Sequence, residues 1–270
     1  MFGRDRVELK TPEQIRAMRR AGLLTRAALD AARDALRPGV TTDELDAVAA
    51  EVIRAGGGTS NFLGYHGYPK TLCISVNEVV VHGIPGGRVV QEGDVVSIDG
   101  GAVVDGWHGD SAFTQIVGEP RDAGDEELVE ITRQAMWRGI AALDRRGRVG
   151  DVGAAVEDAV DGRLAIVDGY TGHGIGTAMH QAPDVLNHRD RDRGPKVRPG
   201  LCLAVEPMCT RGTTETDVLA DEWTVVTTDG SRAAHWEHTV AVLPEGLWVL
   251  TATDGGAAEL GALGVTVPAQ

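Results

Sequence analysis

SIDGGAVVDGWHGDSAF, residues 97–113, is two β-prone runs joined by an Asp-Gly pair. Asp-Gly between such runs is a strong signal of a two-residue hairpin turn, because both turn residues need positive φ. A turn at Asp105-Gly106 pairs Val104 with Trp107, Ala102 with Gly109 and Gly101 with Asp110. Asp99 and Asp110 then become diagonal neighbours on one face of the ladder. Two carboxylates held there repel one another and resist ionisation in a half-buried setting, unless one is protonated or a cation sits between them. On this hairpin alone two readings stand: acids in turns at a sheet edge, or part of a cation site.

Further acids lie outward from it. Glu206 closes the apolar run LCLAV, and Glu237 is embedded in AHWEHTVAVL, whose pattern favours a strand with one buried face. In Tyr170-Thr171-Gly172-His173-Gly174-Ile175-Gly176 a histidine stands between glycines, where a backbone can approach a ligand closely. A structural histidine is the alternative at that position. A dinucleotide loop is not, since no βα context with a later acidic ribose partner follows. Four carboxylates and one imidazole form an oxygen-rich set, suited to Mn, Fe or Co rather than to a structural thiolate zinc site, and better matched to two divalent ions than to one. Two ions a few ångströms apart are able to share an activated water.

Helix signals flank this β-rich centre. Thr11-Pro12-Glu13-Gln14 predicts a capped start with proline in the first turn, running to about Leu36 before Pro38-Gly39. Thr41-x-x-Glu44 predicts a second helix, with a stripe of Leu45, Val48, Ala49 and Val52, ending by Gly56-Gly57-Gly58. Helical patterning returns at about 126–144 and 152–164, and strands follow to Leu250. Both halves therefore read as two helices, then strands. Ala28-Leu29-Asp30 and Ala142-Leu143-Asp144 match locally, too briefly to establish a repeat; a real one would imply pseudo-twofold halves.

The 270 residues, 42% of them hydrophobic, contain no linker-like tract, so a single domain over 1–270 is expected, with its core at about 11–252 and a loosely ordered tail at 253–270. A net charge of −14 argues against nucleic acid and anionic lipid as partners. Cys73, Cys202 and Cys209 have no CxxC spacing and read as free thiols of a reducing compartment. No secretory h-region opens the sequence, and no run of about 18 apolar residues could span a bilayer. A cytoplasmic location is the expectation.

Five ordered segments carry a resemblance: GYHGYPKTLCISVNEVVVHGIP (64–85), GDVVSIDGGAVVDGWHGDSA (93–112), GHGIGTAMHQAPDVLN (172–187), CLAVEPM (202–208) and WEHTVAV (236–242). Together they resemble the type I methionine aminopeptidases of the pita-bread metallopeptidase group, in their short bacterial form. The resemblance implies an α/β pita-bread (creatinase/aminopeptidase) fold, a curved antiparallel sheet flanked by helices with pseudo-twofold halves. It implies that Asp99, Asp110, His173, Glu206 and Glu237 hold two divalent ions (Mn, Fe or Co, with Zn as an option), Asp110 and Glu237 being shared between them.

By the same carry-over, Glu206 is the general base for the attacking water, His180 stabilises the developing oxyanion with a metal ion, and His82 holds the nitrogen side of the scissile peptide. Phe62, Tyr65, Tyr68, Cys73, Met179 and Trp223 would form the methionine pocket, although Met179 and Phe62 depart from the aromatic residue and the cysteine more often found at those positions. The implied substrates are nascent chains with N-terminal methionine and a small second residue; transient ribosome contact and a monomeric state are further expectations. Two rivals remain, a proline-specific aminopeptidase of the same fold and a non-catalytic pita-bread binding module.

Overall fold

Residues 7–268 are described by the computed structural model; the ends of the expected 1–270 domain, 1–6 and 269–270, lie outside the described residues. Helix α1 spans Pro12–Ala35 and α2 Thr42–Ala55. Strands β1 (Thr59–Ser60), β2 (Leu72–Val76), β3 (Val79–Val81), β4 (Val95–Val104) and β5 (Trp107–Ile116) follow. Helices α3 (Ala123–Ala142) and α4 (Gly150–Val160) open the second half. It continues with β6 (Ala165–Ile166), β7 (Gly172–Gly174), β8 (Gln181–Val185), β9 (Cys202–Val205) and β10 (Met208–Thr210). The last elements are β11 (Thr216–Val218), β12 (Val225–Thr227), β13 (Ala233–His235), β14 (Glu237–Leu243), β15 (Gly246–Val249) and α5 (Ala257–Ala262).

The first two helices begin where their caps dictate. Thr11 Oγ1 accepts from Gln14 N at 3.3 Å while Gln14 Oε1 accepts from Thr11 N at 2.8 Å, and Thr41 and Glu44 repeat the reciprocal pair. The β4–β5 hairpin has the expected register, Val104 opposite Trp107 and Gly101 opposite Asp110, with Asp105 and Gly106 both at positive φ. The nine-stranded antiparallel sheet runs β1-β4-β5-β14-β9-β7-β8, with β2 also on β4 and β15 on β14.

Side-chain parity then decides which face is which. Val96, Ile98, Ala102 and Phe113 pack with Ala28, Leu29, Ala32, Leu45 and Ala49 of α1 and α2. Leu203, Val205, Val240 and Val242 pack with Leu128, Ile131, Ile140, Val152 and Val156 of α3 and α4. Each half thus lays two helices on the same side of the sheet. Contact of α1 with β5 is close enough to require glycine at 109, where a Cβ would lie 2.6 Å from Gly22 N, and the other side of Gly22 is closed by the chain after β15, since a Cβ there would lie 2.3 Å from Leu250 O. Thr25 Oγ1 sits in the same seam, accepting from Ala102 N and donating to Gly109 O.

The segment after Thr253 departs from the expected loose tail. Helix α5 forms there, Leu260 is fully buried in the α3–α4 core, and Val265 and Val267 pack against the same cluster. Leu247 N donates to Thr266 O at 3.2 Å, and Arg133 Nη1 pairs with Glu259 Oε1 at 2.7 Å. Arg19, almost wholly buried in α1, donates through Nη1 to the carbonyls of Val249, Leu250 and Ala252 and through Nη2 to that of Thr253. The tail's glycine-rich composition hid three apolar anchors, Leu260, Val265 and Val267, whose partners are remote in sequence. Among the described residues no helix is long and apolar enough to cross a membrane. Leu260→Ala is expected to destabilise the fold by about 2–5 kcal/mol, read from urea unfolding; an unchanged midpoint would mean that this segment does not contribute to the core.

Candidate metal centre and apolar pocket

Residues 99, 101, 110 and 112 share the sheet face opposite the helices, because their neighbours Ile98 and Phe113 point into the α1–α2 core. Glu237 stands opposite Ala112 and joins that face. His173 stands opposite Ala204, and Glu206 follows two residues later at the end of β9. One alternation rule thus brings together five residues spread over 138 positions, from Asp99 to Glu237. They line a cavity of about 450 Å³ together with Phe62, Tyr65, Tyr68, Cys73, Met179 and Trp223, and with His82 and His180.

The acids are under electrostatic strain. Asp110 and Glu237 are 3% and 2% exposed, and no lysine or arginine appears among the described residues lining the cavity. Burial pushes the Asp110 carboxyl up to about 7. It pushes Asp99, Glu206 and Glu237 well above the usual carboxylate range, with the neighbouring carboxylates adding to the effect. Asp99 Oδ1, Asp110 Oδ1 and Glu237 Oε1 are buried with no hydrogen-bond partner. Unpartnered carboxylate oxygens converging without a protein cation are what a divalent ion would satisfy. Ligand atoms of Asp110, His173 and Glu237 lie within 4.8 Å of one another, the spacing of a metal-holding group.

His173 is prepared for the same purpose. Its Nδ1 lies 3.0 Å from Gly174 O, and a carbonyl can only accept, so the proton is on Nδ1 and Nε2 keeps its lone pair. That Nε2 is 3.3 Å from Glu206 Oε1. Burial, then His180, lowers the His173 pKa to about 4, which keeps the ring neutral. Burial lowers His82 to about 4 as well. The residues present therefore fit divalent ions, by donor type, by unsatisfied oxygens and by tautomer.

At the other end the cavity is apolar. Phe62, Tyr68, Cys73 and Met179 form one buried cluster, with Tyr65, Ile84 and Trp223 packed against it. Tyr68 meets Phe62 edge-on at 6.3 Å and Trp223 at 5.0 Å between ring centroids, and its hydroxyl is tied to the carbonyls of Leu72 and Gly83. The three cysteines are free, as expected.

Several lining residues went unassigned in the sequence reading: His66, Tyr170, Thr171 and Met208. His235 also went unassigned. It is buried, its Nε2 has no partner, and it lies 3.8 Å from Glu206 Oε2. Tyr170, Thr171 and Met208 sit within or beside segments already singled out, so adjacency to a functional acid or histidine was the available signal. His235 had a subtler one: it is two residues from Glu237, although β13 and β14 are separate strands.

Residues 16–244 match the model of metallopeptidase family M24. The chain is 51% identical over 257 residues to methionine aminopeptidase 1 of Mycobacterium tuberculosis, covering 92% of this chain and 96% of that protein. The methionine aminopeptidase of Rickettsia prowazekii superposes with a TM-score of 0.88 at 34% identity, over 92% of this chain and 100% of that one. A prolidase from Pyrococcus furiosus shares the fold at 20% identity, with a TM-score of 0.74 over 91% of this chain and 65% of its own. This chain is a member of metallopeptidase family M24, with the pita-bread fold of that family.

Proposed function

We propose that this chain is a methionine aminopeptidase, which hydrolyses the N-terminal methionine from polypeptides whose second residue is small. The observation that carries the reading is a single cavity of about 450 Å³ with an acid-lined end and an apolar end. Asp99, Asp110, His173, Glu206 and Glu237 would hold two divalent ions, Mn, Fe or Co by donor chemistry, which supply Lewis acidity and a water of lowered pKa when bound.

Around them the protein's own groups divide the work. Phe62, Tyr65, Tyr68, Cys73, Met179 and Trp223 enclose the thioether side chain and exclude water from it. The acid-lined end suits a free α-amino group, which an internal peptide bond lacks, and this restricts cleavage to chain ends. Glu206 takes the proton of the attacking water on its carboxylate. His180 donates a hydrogen bond to the carbonyl oxygen as negative charge develops there. His82, its ring 5.9 Å from that of Tyr170 and 6.3 Å from that of Trp223, faces the nitrogen side and assists protonation of the leaving amine. Nascent chains are the natural source of such substrates, which puts the enzyme in the cytoplasm with transient access to ribosomes, acting as a monomer.

Purified protein supplied in turn with Mn, Fe, Co and Zn is expected to release methionine from a Met-Gly peptide. Glu206→Gln should lower kcat by about 10²- to 10⁴-fold, the usual range for loss of a general base. Equal rates in the two proteins would remove Glu206 from this role. Release of other residues before proline, with methionine peptides inert, would favour the proline-specific alternative; absence of any bindable divalent metal would favour the binding module.

The carboxylates also set a pH dependence. Their folded pKa values are raised, so between about pH 4, the unfolded range, and about 7 at Asp110 the folded state holds more protons than the unfolded chain. Stability of chelator-treated protein should therefore fall as pH rises through that window. Asp110→Asn should raise the Tm of chelator-treated protein at pH 7.5 and reduce the further gain on adding Mn²⁺. A lower Tm for the variant under chelation, measured by thermal scanning, would count against a strained acid cluster.

A further inference from the structure

His180 and His173 lie side by side at the head of the cavity, their ring centroids 4.3 Å apart and their planes 75° to one another. The nitrogen that carries the proton decides what each can do. His173 is settled by Gly174 O, which leaves it a lone pair on Nε2. His180 has a different neighbour: its Nδ1 lies 2.8 Å from Tyr65 Oη. A phenol both donates and accepts, but its oxygen lone pair is delocalised into the ring while its O–H is strongly polarised. A neutral imidazole nitrogen is the better acceptor of the two, so the favoured pairing is O–H to Nδ1.

We propose that Tyr65 is a positioning residue: its hydroxyl donates to His180 Nδ1, which holds the imidazole proton on Nε2, the nitrogen that Tyr65 leaves free for substrate. The two neighbouring histidines are thereby kept in opposite tautomers. His173 offers a lone pair, and His180 offers an N–H to the carbonyl oxygen. This assignment rests on the role given to His180 above, and it moves Tyr65 from a pocket wall to a part of the hydrolytic apparatus.

The backbone presents Tyr65 for this purpose. Tyr65 opens a one-turn helix, Tyr65–Gly67, flanked by Gly64 at φ 86° and closed by Gly67 at φ 89°, with His66 itself left-handed at φ 47°. Gly64 N donates to Tyr68 O, Tyr65 N to Phe62 O and Tyr68 N to Tyr65 O, all within 2.9 Å. Gly64 and Gly67 have open space where a Cβ would be, so these positions need glycine for their conformation and not for room. The turn is closed by its own hydrogen bonds, and the Tyr65 ring is braced edge-on against His66 at 4.4 Å between centroids. The hydroxyl thus reaches His180 from a preset frame.

Histidine-selective ¹⁵N NMR of chelator-treated protein tests this without reference to turnover, with His180→Asn used to assign the resonances. Wild type is expected to show His180 protonated on Nε2 and bare on Nδ1, and Tyr65→Phe, which keeps the ring and loses the hydroxyl, is expected to show both tautomers. On a Met-Gly peptide the variant's kcat should fall about 2-fold, as a tautomer bias of roughly 5- to 10-fold, the effect of one neutral hydrogen bond, gives way to near-equal populations, with KM little changed. A wild-type His180 protonated on Nδ1, or a tautomer that Tyr65→Phe leaves unaltered, overturns the proposal. The expected tautomers in a protein that releases no methionine would uphold the tautomer lock and reject the aminopeptidase reading.

Discussion

Asp99, Asp110, Glu206 and Glu237 converge on one face of the sheet, with no lysine or arginine among the described residues lining the cavity they share. Such an arrangement is unfavourable by itself, since each buried carboxylate raises the cost of ionising the others. It persists because the rest of the molecule over-determines it. Four helices pack on the opposite face through Ile98, Phe113, Leu203 and Val240, and the two-residue period of a strand leaves the acids no other side to occupy. A register slip of one residue in β4 or β14 would bury an acid against the helices and expose a core residue to the cavity. The hydrophobic core and the charged site are therefore two faces of one specification.

Much of this was legible because it is periodic and local. The Asp105-Gly106 turn sets the whole β4–β5 register, and from that register alone Asp99 and Asp110 fall diagonally on one face. Thr11 and Thr41 announce their helices through caps that act over three residues. Long-range facts were not available in the same way. No local pattern says that His235 turns toward Glu206, that Tyr65 reaches His180 across 115 positions, or that Leu260 finds the α3–α4 core. The short match of Ala28-Leu29-Asp30 with Ala142-Leu143-Asp144 joins unlike places: the first lies inside α1, the second runs out of the end of α3. The order of elements, two helices and then strands, was the better guide to the two halves.

Phe62 and Met179, the two departures from the usual pocket residues, are less independent than their separation suggests. Both lie in the same buried cluster with Tyr68 and Cys73. The larger residue at position 62 adds more volume to that cluster than the more slender, flexible one at 179 removes, so the two together narrow the pocket, and the flexibility of Met179 helps the cluster to accommodate the gain. Pocket shape is a property of the pair.

Arg19 has a consequence for how the protein is made. Its guanidinium is buried in the first helix, and the four carbonyls that satisfy it belong to residues 249–253, synthesised 230 or more positions later. During translation α1 can form its own turns and meet β5, but the Arg19 guanidinium gains its carbonyl partners only when almost the whole chain has left the ribosome. Closure over Arg19 is thus gated by the end of the last strand. An incomplete chain would leave the buried guanidinium and the side of Gly22 that faces Leu250 uncovered, and only a nearly finished product can bury them.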